Sequence, residues 1–73
     1  MRTQDVLNKI EGTKYHATLE YKRNERKRFE ANGFVGSAEG VKRSIAGYVQ
    51  ALRDCDIITE RERQVLFIYY GTC

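Results

Sequence analysis

SAEGVKRSIAGYVQALRDC, residues 37–55, is the stretch on which the fold turns. Placed on a helix at about 100° per residue, Ala38, Val41, Ile45, Tyr48, Val49 and Leu52 share an arc of roughly 100°, the width of a core-facing stripe. Glu39, Lys42, Arg43, Gln50, Arg53 and Asp54 take the other side. Ser37 suits the N-cap, where its hydroxyl accepts from the free amides of the first turn, and Glu39 sets a negative charge at the positive end of the helix dipole. A second stripe, Gly40, Ser44, Gly47 and Ala51, runs beside the first. Glycine inside a helix costs roughly 1 kcal/mol relative to alanine. Either packing elsewhere tolerates both glycines, or a flat face here admits another helix closely.

Upstream, TKYHATLEYKRNERKRFEAN (residues 13–32) has the composition and spacing of a helix. Asn32–Gly33 marks its C-terminus, and Phe34 falls where a Schellman motif places a hydrophobic contact back to Phe29. Two apolar faces compete along it. One holds Tyr15, Leu19 and Phe29 with Lys22 and Arg26 between them; the other holds Ala17 and Tyr21 and continues back to Val6 and Ile10. GFVG (33–36) is then a short turn, which predicts an antiparallel helical hairpin. Residues 1–12 allow two structures: a short helix capped by Thr3 and ended by Gly12, or one helix running on through Gly12 to Asn32. The second would be ~45 Å long, against a radius of gyration of only ~11 Å for a compact chain of this size.

Downstream, Thr59 and Glu62 have capping-box spacing and predict a helix from Glu60 to Tyr70, with Gly71 just past its end. Val65, Leu66 and Tyr69 extend a core face from Glu62, while Phe67, Ile68 and Tyr70 point elsewhere. VLFIYY also has strand propensity, but the capping box and the lack of a partner strand favour a helix. The expected architecture is all-α: a single helical domain over residues 1–73, three helices, a long first helix plus the hairpin 37–70, self-associating.

Self-association is expected because 73 residues bury only about 60 % of their unfolded surface, and the usual supplements are missing. The two cysteines, Cys55 and Cys73, form no CxxC and no His/Cys cluster, so neither a disulfide framework nor a zinc site is readable. Low cysteine use, no apolar signal-peptide core in MRTQDVLNKIEGTK and no run near the ~18 apolar residues of a membrane span predict a soluble cytoplasmic protein. Proline is absent, the net charge is +3 and the pI is about 9.0, which is compatible with a nucleic-acid partner without requiring one.

Little in the chain can carry chemistry. His16, the single histidine, has Glu20 one turn on and nothing to complete a metal site or a nucleophile pair. Cys55 follows Asp54 near a helix end, and Cys73 is expected to be exposed; neither has the electropositive setting that activates a thiol. There is no glycine-rich phosphate loop and no acidic dyad. No catalytic, cofactor-binding or metal residue is assigned, and an enzyme is not expected.

Two binding roles remain. Phe67, Ile68, Tyr69, Tyr70 and Tyr21 form surplus aromatic and apolar surface, and tyrosine is enriched at interfaces. They predict a non-enzymatic protein-binding module, a small regulator or inhibitor of bacterial or phage type, with a protein partner or a second copy. The alternative is nucleic-acid binding through Lys22, Arg23, Arg26, Lys27 and Arg28, since residues 13–34 carry six Lys/Arg against three Glu and basic residues with nearby tyrosines can track phosphates. Against this, Glu20, Glu25 and Glu30 lie at helical spacing to those cations as ordinary surface pairs.

The segment ITERERQVLFIYYG, residues 58–71, resembles the first part of region 4 of bacterial sigma factors. There a similar charged start and apolar tail precede the DNA-reading helix-turn-helix. The resemblance implies a scaffold helix and carries over no DNA-contacting residue.

Overall fold

The described residues form four helices: α1 (Thr3–Ile10), α2 (Lys14–Ala31), α3 (Val35–Asp54) and α4 (Glu60–Thr72). The computed structural model describes residues 2–72, and of Thr72 the backbone alone; Cys73 therefore lies outside the described residues. Among the described residues the only regular structure is helical, as the periodicity requires, but the count of three helices is corrected to four.

The extra helix comes from a break at Glu11–Thr13. Gly12 takes a φ of 81°, a left-handed conformation that glycine adopts without steric cost. Thr13 then caps α2, its hydroxyl accepting from the His16 N–H at 3.4 Å while donating to the Ile10 carbonyl. One hydroxyl thus ends α1 and starts α2. A continuous helix of ~45 Å would also have exceeded the molecule, whose longest extent is 35 Å. Thr3 is the first helical residue rather than the cap; Arg2 takes that place, and its N–H donates to Asp5 Oδ2 at 3.4 Å.

The hairpin forms as expected, with a tighter turn. Phe34 N–H donates to the Phe29 carbonyl at 2.9 Å and Gly33 N–H to that of Glu30 at 3.1 Å, the bond pair that defines a Schellman motif. Gly33 has a φ of 78°, and the rings of Phe29 and Phe34 meet edge to face at 6.4 Å. The chain turns so fast that α3 begins at Val35, and Ser37 sits inside the helix instead of capping it. The other end of α3 closes the same way: Ile57 N–H donates to the Leu52 carbonyl and Asp56 N–H to that of Arg53, both at 3.0 Å. Here the left-handed position belongs to Asp56, with a φ of 59°.

α3 packs on both α2 and α4, and α1 packs on α4 and, to a lesser extent, on α2. The core stripe of α3 is the expected one: Ala38, Val41, Ile45, Val49 and Leu52 are buried and Tyr48 is partly so. Of the two faces on α2, Leu19 with half-buried Tyr15 and Phe29 turns inward, while Ala17 and Tyr21 face solvent. Val6 and Ile10 reach the core from α1 and Leu66 from α4. The radius of gyration is 12.1 Å, close to the ~11 Å of a compact chain of this length. The small-residue stripe of α3 is exposed, and a Cβ built on Gly40 or Gly47 would meet nothing within 4 Å. No helix among the described residues is long and apolar enough to cross a membrane.

Candidate protein-docking face

α4 carries more apolar side chains than its inner side can hold. Residues 65–70 are aliphatic or aromatic without interruption, and a helix turns only one stripe toward its neighbours. Leu66 and Tyr70, one turn apart, take the innermost places. Val65 and Tyr69 are half buried. Phe67 and Ile68 remain outside, 49 % and 63 % exposed.

Tyr70 is the correction within this set. Expected at an interface, it is fully buried, at 0 % exposure. It lies four residues beyond Leu66 and so shares that stripe. Its polar end is satisfied there, because the hydroxyl donates to Glu20 Oε1 at 3.0 Å. Burial, with the Glu20 carboxylate beside it, pushes the phenol well above its usual range, so the group stays neutral. The Tyr69 ring meets that of Tyr70 edge to face at 4.9 Å, and its hydroxyl accepts from Arg23 Nη1 at 2.9 Å.

The same seam takes apart the basic cluster of α2. Arg26, expected on the surface, is 4 % exposed and donates from Nη1 to the Tyr70 carbonyl at 2.5 Å. That carbonyl belongs to the last turn of α4, where the helix dipole favours a cation. Arg26 Nε stands 3.0 Å from Glu30 Oε1, a charge pairing without a hydrogen bond along that N–H. Arg23 is engaged with Tyr69, and Lys22 donates to Ser44 Oγ at 2.6 Å across the hairpin. Of the five, Lys27 and Arg28 are the exposed ones. Sequence grouped these cations by proximity along the chain; the fold assigns them separate tasks, and no basic stripe results.

His16 Nε2 lies 3.5 Å from Glu20 Oε1, in a carboxylate environment already shared with Tyr70 and Arg23. Among the described residues, no three of His, Cys, Asp and Glu gather as metal ligands would.

Beside Phe67 the surface is hollow. A groove of about 200 Å³ opens between α3 and α4, lined by Lys42, Arg43, Ile45, Ala46, Phe67 and Gly71. It exists because Ala46 and Gly71 bring almost no side chain to a place where the neighbouring helices carry large ones; a Cβ on Gly71 would meet nothing within 4 Å. Of the expected interface residues the structure places Phe67 in the groove wall and Ile68 next to it on the outer side of α4. Tyr69 contributes to the seam with α2. Tyr21, 65 % exposed, is two residues from buried Leu19 and so about 200° around α2 from the core, away from the groove. Sequence alone missed Lys42, Arg43, Ala46 and Gly71. The usable signal was the antiparallel α3–α4 pairing, which sets a small residue of one helix against a small residue of the other.

Comparison with family models, with curated proteins and with solved structures returned no match. The likeness of residues 58–71 to the start of sigma region 4 therefore stands on those residues alone.

Proposed function

We propose that this chain is a non-enzymatic protein-binding module that receives an amphipathic helix of another protein along the α3–α4 face, acting as a small regulator or inhibitor of that partner. The observation that carries this is the placement of Phe67: half exposed, it forms one wall of an open apolar groove instead of closing the core. The groove's size narrows the occupant. At about 200 Å³ it is smaller than the ~300–1,000 Å³ of clefts that enclose small molecules, and it suits a side chain presented from a helix. Completing the burial of Phe67 contributes about 1 kcal/mol, and that of Ile68 about 1–2 kcal/mol. Together these fall short of the ~4 kcal/mol of even a millimolar complex. The partner must then make further contacts on the rim.

A displayed library of helical peptides about four turns long, with all faces randomised, tests this. Binders should be enriched on the wild-type chain and lost on Gly71→Leu, which adds a side chain to the groove lining at a position where a Cβ meets nothing within 4 Å. A library that yields no binder sensitive to Gly71→Leu overturns the docking role. Nucleic-acid binding is the weaker alternative, because Arg23 and Arg26 are held inside by α4.

A further inference from the structure

Resting on the docking role above, we infer that the helix received by the α3–α4 groove is acidic, carrying carboxylates beside the apolar residue that enters the hollow. The groove has a floor and walls of Ile45, Ala46, Phe67 and Gly71, and its charged lining is Lys42 and Arg43. Among the described residues no acidic one lines it. Both cations are exposed. Arg43 makes no ion pair among the described residues, and Lys42 reaches Glu39 only at 3.9 Å, where an exposed pair contributes little. By contrast, Lys9 lies 2.7 Å from Glu62 and Arg26 3.0 Å from Glu30. The groove is thus a place where Arg43 stands beside apolar surface with no ion-pair partner among the described residues, and Lys42 has only its loose contact with Glu39.

Docking at such a place strengthens any ion pair formed, because the apolar walls exclude water from one side. Carboxylates on the incoming helix find partners, and lysines there meet like charge, which selects against the wrong helix as well as for the right one. The same charge disfavours a second copy of this chain. In a two-fold dimer each subunit presents the same patch, so Lys42 and Arg43 of both copies would enter one interface. A nucleic acid has the charge but no aliphatic side chain for the hollow.

The test uses two synthetic helical peptides of about four turns, with Leu at the i, i+3, i+4 and i+7 anchor positions. One has Glu and the other Lys at the flanking positions. Each is titrated by fluorescence polarisation against the wild-type chain, Gly71→Leu, and the double variant Lys42→Glu, Arg43→Glu, whose positions are exposed; circular dichroism confirms that each variant is folded. The acidic peptide should bind wild type at least roughly tenfold tighter than the basic one, weaken with salt, lose affinity on Gly71→Leu, and exchange preference with the basic peptide in the charge-reversed variant. Equal binding of both peptides, or acidic-peptide binding unaffected by Gly71→Leu, overturns the inference. If the library yields groove-dependent binders without acidic bias, docking stands and this inference alone falls. If neither peptide binds and the library yields none, both fall. A concentration-dependent dimer in sedimentation that Gly71→Leu dissociates identifies a second copy as the occupant and also overturns it.

Discussion

Lys9 and Glu62 meet at 2.7 Å across 53 residues of chain, and Glu62 is also the residue that closes the cap of α4. Its Oε1 accepts from the Thr59 N–H at 2.7 Å while its own N–H donates to Thr59 Oγ1 at 3.2 Å. One carboxylate, 6 % exposed, thus begins a helix and holds another against it. Burial works against the charged form, but the hydrogen bonds from Lys9 and Thr59 outweigh it and hold the carboxyl below its ordinary 4.5. A carboxylate whose folded pKa lies below the unfolded value contributes stability above the unfolded value, and that contribution is lost as pH falls through the folded one. Urea denaturation of wild type should show stability falling as pH drops below about 4.5, and Glu62→Gln should flatten part of that fall. At neutral pH Glu62→Ala should cost about 1–2 kcal/mol, the cap supplying about 1 and the half-exposed Lys9 the smaller share. An unchanged acid limb in Glu62→Gln would remove the proposed linkage.

Asp56 occupies a left-handed position, φ 59°, that glycine fills at Gly33. For a residue with a Cβ this conformation costs roughly 1 kcal/mol, and a negative charge at a helix C-terminus adds to the cost. Its ion pair with Arg53 spans 4.0 Å on an exposed surface and offsets little. Asp56→Gly should therefore raise stability by about 0.5–1 kcal/mol, seen as a higher urea midpoint with an unchanged slope. A lower midpoint would show that the Asp56 side chain has a role beyond the turn.

Gly40 and Gly47 lie inside α3 with open space where a methyl would go. Alanine at either should stabilise the isolated chain by about 0.5–1 kcal/mol. Thermal melts of both single variants, with sedimentation at matched concentration, distinguish the alternatives. A stability gain without change of mass means a solvent face. A loss of stability accompanied by loss of an oligomer means that another molecule packs on the stripe.

Tyr70 stays protonated in the fold because burial, then the hydrogen bond to Glu20, raises its phenol above the ordinary 10.0. A raised folded value means stability fully present below the unfolded pKa and lost as pH climbs above it, since only the unfolded state then releases the proton. Stability should decline above about pH 10. Tyr70→Phe should remove that portion of the decline while costing about 1 kcal/mol at neutral pH for the lost hydrogen bond. Ultraviolet titration that finds all five tyrosines ionising together near pH 10 in the folded protein would contradict this placement.

Much of the architecture is legible in short-range spacing. The stripe from Ala38 to Leu52, the Thr59–Glu62 box and the Phe29–Phe34 contact all involve residues within a few turns, and local geometry decides them. The break at Gly12 stayed open between two structures, because the apolar pattern running from Val6 past Tyr21 competes with the glycine's stop signal; the Thr13 cap that decides it was not read from the sequence. Arg26 and Tyr70 were not legible, because what buries them is a carbonyl 44 residues away and a carboxylate 50 residues away. On the groove side, Phe67 and Ile68 stand out as excess apolar residues. The hollow beside them depends on Ala46 and Gly71 arriving together, which chain order does not display.

The docking of α1 on α4 also orders events during synthesis. At ~5–20 residues per second, the partner of Lys9, 53 positions on, emerges from the ribosome some seconds after Lys9 itself. Eight residues are too few to hold a helix unaided in water. The α1 segment is therefore expected to stay coil until α4, translated after it, supplies the surface on which it winds up.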